Sequence, residues 1–560
     1  MPVLPFPEYR PDVSDFNGQS TATLLNVIPR SDGYGPVKDA TAITGALPDN
    51  PRGLFMARRN DQTLAIFAGT DDKLYLLDNT TLEWTDVSKA AGTYSPLATA
   101  ANWSFVQFNQ KVIATQANDV MQVFDVESDS AFADLAGSPP QAAFLAIVNR
   151  FLVASNINGQ PRRVQWSGLN AITTWTVGTN YSDYQDLPDG GAVQRVVGGE
   201  YGLIIQEQSV RRMTFTPGSD IIFQIDRIAT DVGTFAPWSV VESNGLIYCL
   251  SLKGFVRLTS DGQISPIGHE RVDRTFLAIA DQAKHGLIQA VSDPANNLIL
   301  WTYHETSYAG DRFNRALVYN AQLNRWSPIE LVGTMIGSIG RPGLTLEALG
   351  AINGIAISGA ANNGAGLIRL TVSSTTGWTT SDIKDVHNVG GTTEANGTWT
   401  ITVIDGTHID LQGSTFSNAY TSGGYVAGAI DDLDTSLDDY SNASLNNLGM
   451  FNADAELSYF TGSNKEATLT TSEQSGIAKR LFIRGLYPIT DADEAYCSVG
   501  ARESLKVAAS FSTETAINAQ GFCPQRVSTR HARAKLRIPA SETWTFAGGI
   551  EPDVVYEGSR

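Results

Sequence analysis

Short apolar runs separated by polar turns recur along the first two thirds of the chain. LAIFAG starts at Leu64, VIATQ at Val112, FLVAS at Phe151, LIIQE at Leu203, LIYCLS at Leu246 and LILWTY at Leu298. Successive starts lie 48, 39, 52, 43 and 52 residues apart. Most runs pass through a tight polar turn into a second strand-like run, most clearly in LIYCLS–LKG–FVRLTSDGQISPI over 246–267. Runs this short, rich in β-branched and aromatic residues and bounded by turns, fit strands rather than helices. Strand, turn, strand, turn and aromatic, repeated every 40–50 residues or so, is the plan of a β-propeller blade. One small antiparallel sheet cannot cover both its faces, so blades stack around an axis. Trp84 and Trp326 fall at equivalent points and are expected to pack between blades. A β-sandwich array with similar turn spacing is the competing architecture.

Three regions depart from this repeat. ERVDRTFLAIADQAK (270–284) places Val272, Phe276, Ile279 and Ala283 on one helical face, and reads as a connector between two repeats. Residues 351–428 are dense in Gly, Thr, Ser and Asn and carry the strand-like runs GLIRLTVSS, DIKDVHNV, GTWTITVIDG and HIDLQGS, which predicts a small β module inserted into a loop. Beyond it, ELSYFTG–SNKE–ATLTTSE (456–473) has the plan of a further blade. KRLFIRGLYPI, YCSVGAR, SLKVAASFS and AKLRIPA continue as strands, with the chain end expected to close the ring. The predicted class is all-β: an extended arm over 1–50, a propeller-like body over 51–350, the module at 351–428, and a last blade with a β-rich region over 429–560.

The arm contains NVIPRSDGYGPV (26–37), a segment that cannot fold alone. Pro29 and Pro36 lack backbone donors, Gly33 and Gly35 permit positive φ, and Asp32-Gly33 signals a turn. Val27, Ile28 and Tyr34 nevertheless favour burial. The segment must lie against its own domain or a neighbouring subunit, and Val27, Ile28, Pro29, Tyr34 and Pro36 are the candidate assembly residues. If the neighbour holds the arm, deleting 1–37 leaves a folded chain that assembles poorly.

Composition narrows the function. Net charge is −19 with no Lys/Arg-rich run, against tight nucleic-acid binding. It does not argue against a surface past which DNA slides. Only 17% of residues are charged, and 42% are hydrophobic. Cys249, Cys497 and Cys523 form no CxxC pair, so neither a disulfide framework nor a zinc site is expected. The opening MPVLPFPEYRPDV lacks a secretory apolar run, and no apolar stretch is long enough to span a membrane, so a soluble chain is expected.

Motifs for chemistry are missing. His269, His285, His304, His387, His408 and His531 form no metal-spaced pair, and His304-Glu305 stands alone. GxSxG, Walker A and GxGxxG are absent, as are the GH…WD and Asp-box signatures of WD40 scaffolds and sialidases. The acidic run Asp431, Asp432, Asp434, Asp438 and Asp439 fails the EF-hand template, because Leu437 and Ala443 stand where Gly and Glu belong. It reads as a solvated loop. A carboxylate pair placed by the fold for glycoside hydrolysis stays open. No catalytic residue, cofactor or metal is assigned.

Three phrases resemble the nozzle, or tail-hub, proteins of short-tailed bacteriophages, also called tubular tail protein B or packaged-DNA stabilisation proteins. They are PEYRPDVSDFNGQSTATLLNVIPRSDGYGP (7–36), FTPGSDIIFQIDRIATDVGTFAPWSVVESNGLIYCLSLKGFVRL (215–258) and RHARAKLRIPASETW (530–544). The resemblance extends over most of 7–350 and 429–550. Residues 362–428 resemble a small β module common in phage virion proteins, a departure from the plain nozzle plan. The resemblance implies a non-enzymatic hexameric ring at the distal end of a short tail, in the virion, below an adaptor ring protein. It implies tail fibres, a tail needle and the host surface as further contacts. Such a ring retains packaged double-stranded DNA without specific binding and lets it pass on ejection, and an acidic lumen would lower friction. The alternatives are a receptor-binding or polysaccharide-degrading tail protein and a sugar-binding propeller.

Overall fold

The computed structural model describes residues 3–18, 20–79, 81–90, 92–340, 354–427, 447–475 and 480–557. The chain divides into a body of Met1–Leu76, Asp86–Ile339 and Asn446–Arg560, and a second unit of Leu77–Thr85 and Gly340–Leu445. The class is all-β, and the body is built on a propeller of seven four-stranded sheets.

Six blades follow one another from Gly53 to Gly333. Each apolar run of the sequence repeat is the second strand of its blade: Leu64–Gly69, Lys111–Thr115, Phe151–Ile157, Gly202–Gln206, Leu246–Ser251 and Leu298–Tyr303. The physical reason is burial on both faces. Every residue of Leu64–Gly69 and of Leu298–Tyr303 is buried, so these strands read as unbroken apolar runs instead of alternating ones. Cores form between successive blades. Ile113 and Leu152 share one, Val153 and Ile204 the next, and Ile205 and Cys249 the one after. Met335–Ile339 of the seventh blade meets Gly53–Arg58 of the first, which closes the ring.

The seventh blade departs from expectation. Its strands are Met335–Ile339, Asn447–Phe451, Glu456–Tyr459 and Thr41–Ala46, in that order. Ring closure therefore comes from the N-terminal region and not from the chain end. Tyr459 pairs with Thr41 and Ser458 with Ala42, and the Leu457 amide donates to Thr44 Oγ1 at 3.0 Å. The run ATLTTSE, expected to pair with ELSYFTG, instead supplies Ala467–Thr470 to another sheet.

That sheet is one of two formed jointly by both ends of the chain. A six-stranded sheet runs Cys523–Thr529, Arg480–Thr490, Ala547–Glu557, Gly33–Pro36, Val27–Arg30, with Leu4–Pro5 also on Ala547–Glu557. A seven-stranded sheet runs Leu24–Leu25, Ala467–Thr470, His531–Ile538, Tyr496–Arg502, Ser510–Phe511, with two further short strands beside it. Ala532, Ala534, Leu536 and Ile538 alternate inward from one sheet, and Leu481, Ile483 and Leu486 from the other, into a shared core.

The expected helix is shorter than its apolar pattern, Asp273–Ile279, and connects blades five and six as anticipated. Val272 and Phe276 are buried. Asp273, at its first turn, is buried too and accepts a hydrogen bond from the Phe255 amide at 2.9 Å. Burial, reinforced by the charge of Asp12, pushes its carboxyl up to about 6. The folded state then holds a proton that the unfolded chain releases near the ordinary value of 3.8. Stability should fall as pH rises from about 4 to about 6, by about 3 kcal/mol at most, and stay at the lower level above. Asp273→Asn should flatten that slope and raise the melting temperature at pH 7, as read from thermal melts between pH 4 and 8.

In the second unit, Ile355–Asn362, Ile368–Val372, His408–Leu411, Gly397–Val403, Ile383–His387 and Tyr425–Val426 close into a six-stranded barrel. Ile368, Leu370, Ile401, Ile409 and Val426 fill it. The Arg369 guanidinium grips Asp410 with two hydrogen bonds, of 2.6 and 2.9 Å. In chain order the barrel falls between the first and second strands of blade seven. The acidic run 431–439 lies outside the described residues.

Candidate functional site

The N-terminal arm is the feature that sequence reasoning marked for assembly. It binds the body at three successive places. Asp12 accepts hydrogen bonds at the start of the helix: Oδ1 from the Thr275 amide and hydroxyl (2.8 and 2.7 Å), Oδ2 from the Arg274 amide (2.9 Å). Arg271 reaches back to Glu8 and donates to the Asn324 carbonyl at 2.6 Å.

Asn26 is the second place. It stands at φ +57°, in the left-handed region that Asn tolerates better than most residues. This reversal passes the chain from Leu24–Leu25 in one terminal sheet to Val27–Arg30 in the other. Its side chain is buried and fully used. Oδ1 accepts from the Glu330 amide at 2.8 Å and Nδ2 donates to the Glu466 carbonyl at 2.9 Å, while its own amide donates to the Pro328 carbonyl at 3.1 Å. The Ser327 hydroxyl donates to the Val27 carbonyl at 2.6 Å, Asn320 to the Pro29 carbonyl at 3.2 Å and Arg325 to the Arg30 carbonyl at 3.0 Å. The arm thus runs along the outermost strand of blade six.

The hairpin Gly33–Pro36 is the third place. Gly33 has φ +143°, and a Cβ there would lie 2.3 Å from the Ala547 carbonyl oxygen. Only glycine allows this approach. Tyr34 is wholly buried, donates its hydroxyl to the Pro7 carbonyl at 2.7 Å and lies under the Arg325 guanidinium at 4.8 Å. Burial pushes its phenol up to about 12.

Of the two supports the sequence left open, these contacts show the arm lying against its own chain. Val27 and Tyr34 have no exposed surface in the single chain, and Pro29 is also buried. Ile28 and Pro36 are half-buried, with Ile28 packed against the core between blades six and seven. The segment is unable to fold alone, as its sequence implies, because its partners are strands more than 280 residues later in the same chain. Asn26 and Gly33 carry much of the geometry. Their signal was the turn chemistry itself, which does not say what is approached.

The isolated His304 is buried, with Nε2 2.9 Å from Lys284 Nζ and 2.8 Å from the Gly310 carbonyl. Among the described residues no three His, Cys, Asp or Glu side chains gather as a metal would require. The first strands of the seven blades, which surround the axis, carry Arg58, Arg195, Glu242 and Asp293, two charges of each sign. These seven strands therefore carry no net charge. An axial cavity of about 370 Å³ is lined by Ser243, Ser292 and Ser338 from blades five, six and seven. Between blades six and seven a cavity of about 480 Å³ is bordered by the ion pairs Lys465–Asp39 and Arg315–Glu330, both 2.8 Å.

No known family's sequence profile matches the chain, and no curated protein does. Among solved structures it is similar to the extracellular domain of a hybrid two-component system from B. thetaiotaomicron, at 9% identity and TM-score 0.34 over 60% of this chain and 44% of that one. A functionally unknown protein from Desulfotomaculum acetoxidans aligns at 12% identity and TM-score 0.32, over 49% and 84% of the two chains. A computationally designed protein aligns at 11% identity and TM-score 0.30, over 52% and 90%. The chain spans less than half the length of the first of these. Scores at this level carry no argument about function.

Proposed function

We propose that the chain is a structural subunit of a short phage tail, a nozzle or hub ring that closes the DNA exit channel and opens it on ejection. One observation carries this reading. The three phrases that resemble nozzle proteins lie far apart in sequence, yet all meet in one hydrophobic core. Tyr9, Leu24, Val27 and Tyr34 come from the first, Tyr248, Leu250 and Phe255 from the second, and Ala532, Leu536 and Trp544 from the third. The resemblance thus falls on one physical unit, which ties both chain ends to the propeller. A subunit whose arm strands and late strands share sheets offers few unpaired strands at which an internal pressure could begin to peel it.

The DNA path in this reading is enclosed by about six copies around a symmetry axis. In this reading the path lies between subunits and is distinct from the propeller axis of any one of them. An adaptor ring protein is the partner above, with fibres or a needle as further contacts. The reading assigns no enzymatic activity. Electron microscopy of the purified chain mixed with its adaptor should give closed rings of about six. A monomer that releases oligosaccharides from host polysaccharide overturns the proposal.

A further inference from the structure

The terminal sandwich contains a pair of thiols that the sequence spacing does not reveal. Cys497 lies on Tyr496–Arg502 of the seven-stranded sheet and Cys523 opens Cys523–Thr529 of the six-stranded sheet. Both side chains are buried in the shared core. The two strands lie against each other, and Gln525 Nε2 donates to the Cys497 carbonyl at 3.0 Å, which fixes their offset. The Cys523 sulfur accepts hydrogen bonds from both the Cys497 thiol and the Cys497 backbone amide. Cys249 belongs to the separate core between blades four and five.

We propose that Cys497 and Cys523 are a site of reversible oxidative modification, at which a disulfide joins the two sheets of the terminal sandwich. A disulfide needs two cysteines on closely approaching backbones, and these two lie on strands in direct contact, with their thiols hydrogen-bonded to each other. The pair is also polarised. Hydrogen bonds from Cys497 lower the Cys523 thiol, while the same bond and burial raise the Cys497 thiol. Cys523 is then the sulfur that reacts first.

The co-reactant is a peroxide, and Cys523 opens the outermost strand of its sheet, Cys523–Thr529. The Cys523 sulfur attacks one peroxide oxygen. The O–O bond breaks, water leaves, and Cys523 becomes a sulfenic acid. The Cys497 sulfur then attacks the Cys523 sulfur, the S–O bond breaks, and a second water leaves. Two thiols are oxidised by two electrons, and one peroxide is reduced to two waters. The bond closes a loop between residues 26 apart (497 to 523), long enough to restrict the unfolded chain appreciably.

The test uses the full-length chain treated with hydrogen peroxide, denatured, and alkylated. The reduced protein should take up label at all three cysteines, and the oxidised protein at Cys249 alone. A peptide linking Cys497 to Cys523 should appear and vanish with a dithiol reductant. The oxidised form should melt several degrees higher. Cys249→Ser should leave the loss of two labels unchanged. Retention of all three labels, a linkage through Cys249, or peroxide carrying Cys523 to sulfinic acid with no cross-link would each overturn the proposal.

Discussion

Removal of residues 1–37 is expected to unfold the terminal sandwich, rather than to leave an intact subunit that merely assembles poorly. The deleted segment contributes Val27–Arg30 and Gly33–Pro36 to one sheet and Leu24–Leu25 to the other. It also removes Phe6, Tyr9, Leu24, Val27 and Tyr34 from the core. At about 1.5–3 kcal/mol for each large buried side chain, this loss is about 7–15 kcal/mol, comparable to the whole stability of a typical domain. The edge of Ala547–Glu557 that pairs with Tyr34 would also be opened. Hydrogen exchange measured by mass spectrometry should show His531–Ile538 and Ala547–Glu557 exchanging as unfolded chain, with Phe151–Ile157 still protected. Full protection of the C-terminal strands, combined with failure to form rings, would restore the arm to a role between subunits.

Trp326→Ala is expected to be the most costly single substitution among those considered, at about 3–5 kcal/mol. Trp326 is wholly buried on the last strand of blade six, among Phe255, Trp301 and Tyr319, with ring centroids 5.1, 5.6 and 4.7 Å away. Its indole donates to the Ile267 carbonyl of the neighbouring connection at 3.1 Å. Truncation leaves a cavity and a carbonyl without its partner, two separate losses. Trp84 occupies the same position on the last strand of blade one but is only half-buried. Trp84→Ala should cost about 1 kcal/mol, and denaturant midpoints of the two variants give the comparison.

That contrast indicates what the sequence could disclose. Six blades were legible because their second strands are covered on both faces and so appear as apolar runs. Of the seventh only the third strand, Glu456–Tyr459, was legible, because its second strand, Asn447–Phe451, reads NLGMF and its outer strand, Thr41–Ala46, is largely exposed. A half-exposed strand paired with residues 400 or so positions later leaves no local periodicity to find. Ala547–Glu557 was missed for a related reason: Gly548, Gly549 and Pro552 disguise a strand whose place is set by the arm. In the candidate site, turn chemistry marked 26–37 correctly as dependent on a partner. The identity of that partner was a long-range fact, as was the meeting of Cys497 with Cys523, and neither is encoded in spacing.

The composition of blade seven also imposes an order in time. During synthesis, blades one to six can stack as they emerge, since each is contiguous. Thr41–Ala46 is made early but finds its neighbour, Glu456–Tyr459, only after roughly 400 further residues, about 20–80 s at ordinary elongation rates. The arm waits longer still, for the strand that ends at Glu557. A ribosome that stops short of blade seven would release an open horseshoe with an unmatched strand at each tip. The closed ring is therefore a first checkpoint, passed only by chains translated through Glu456–Tyr459, and the terminal sheets are a second one that waits for Ala547–Glu557.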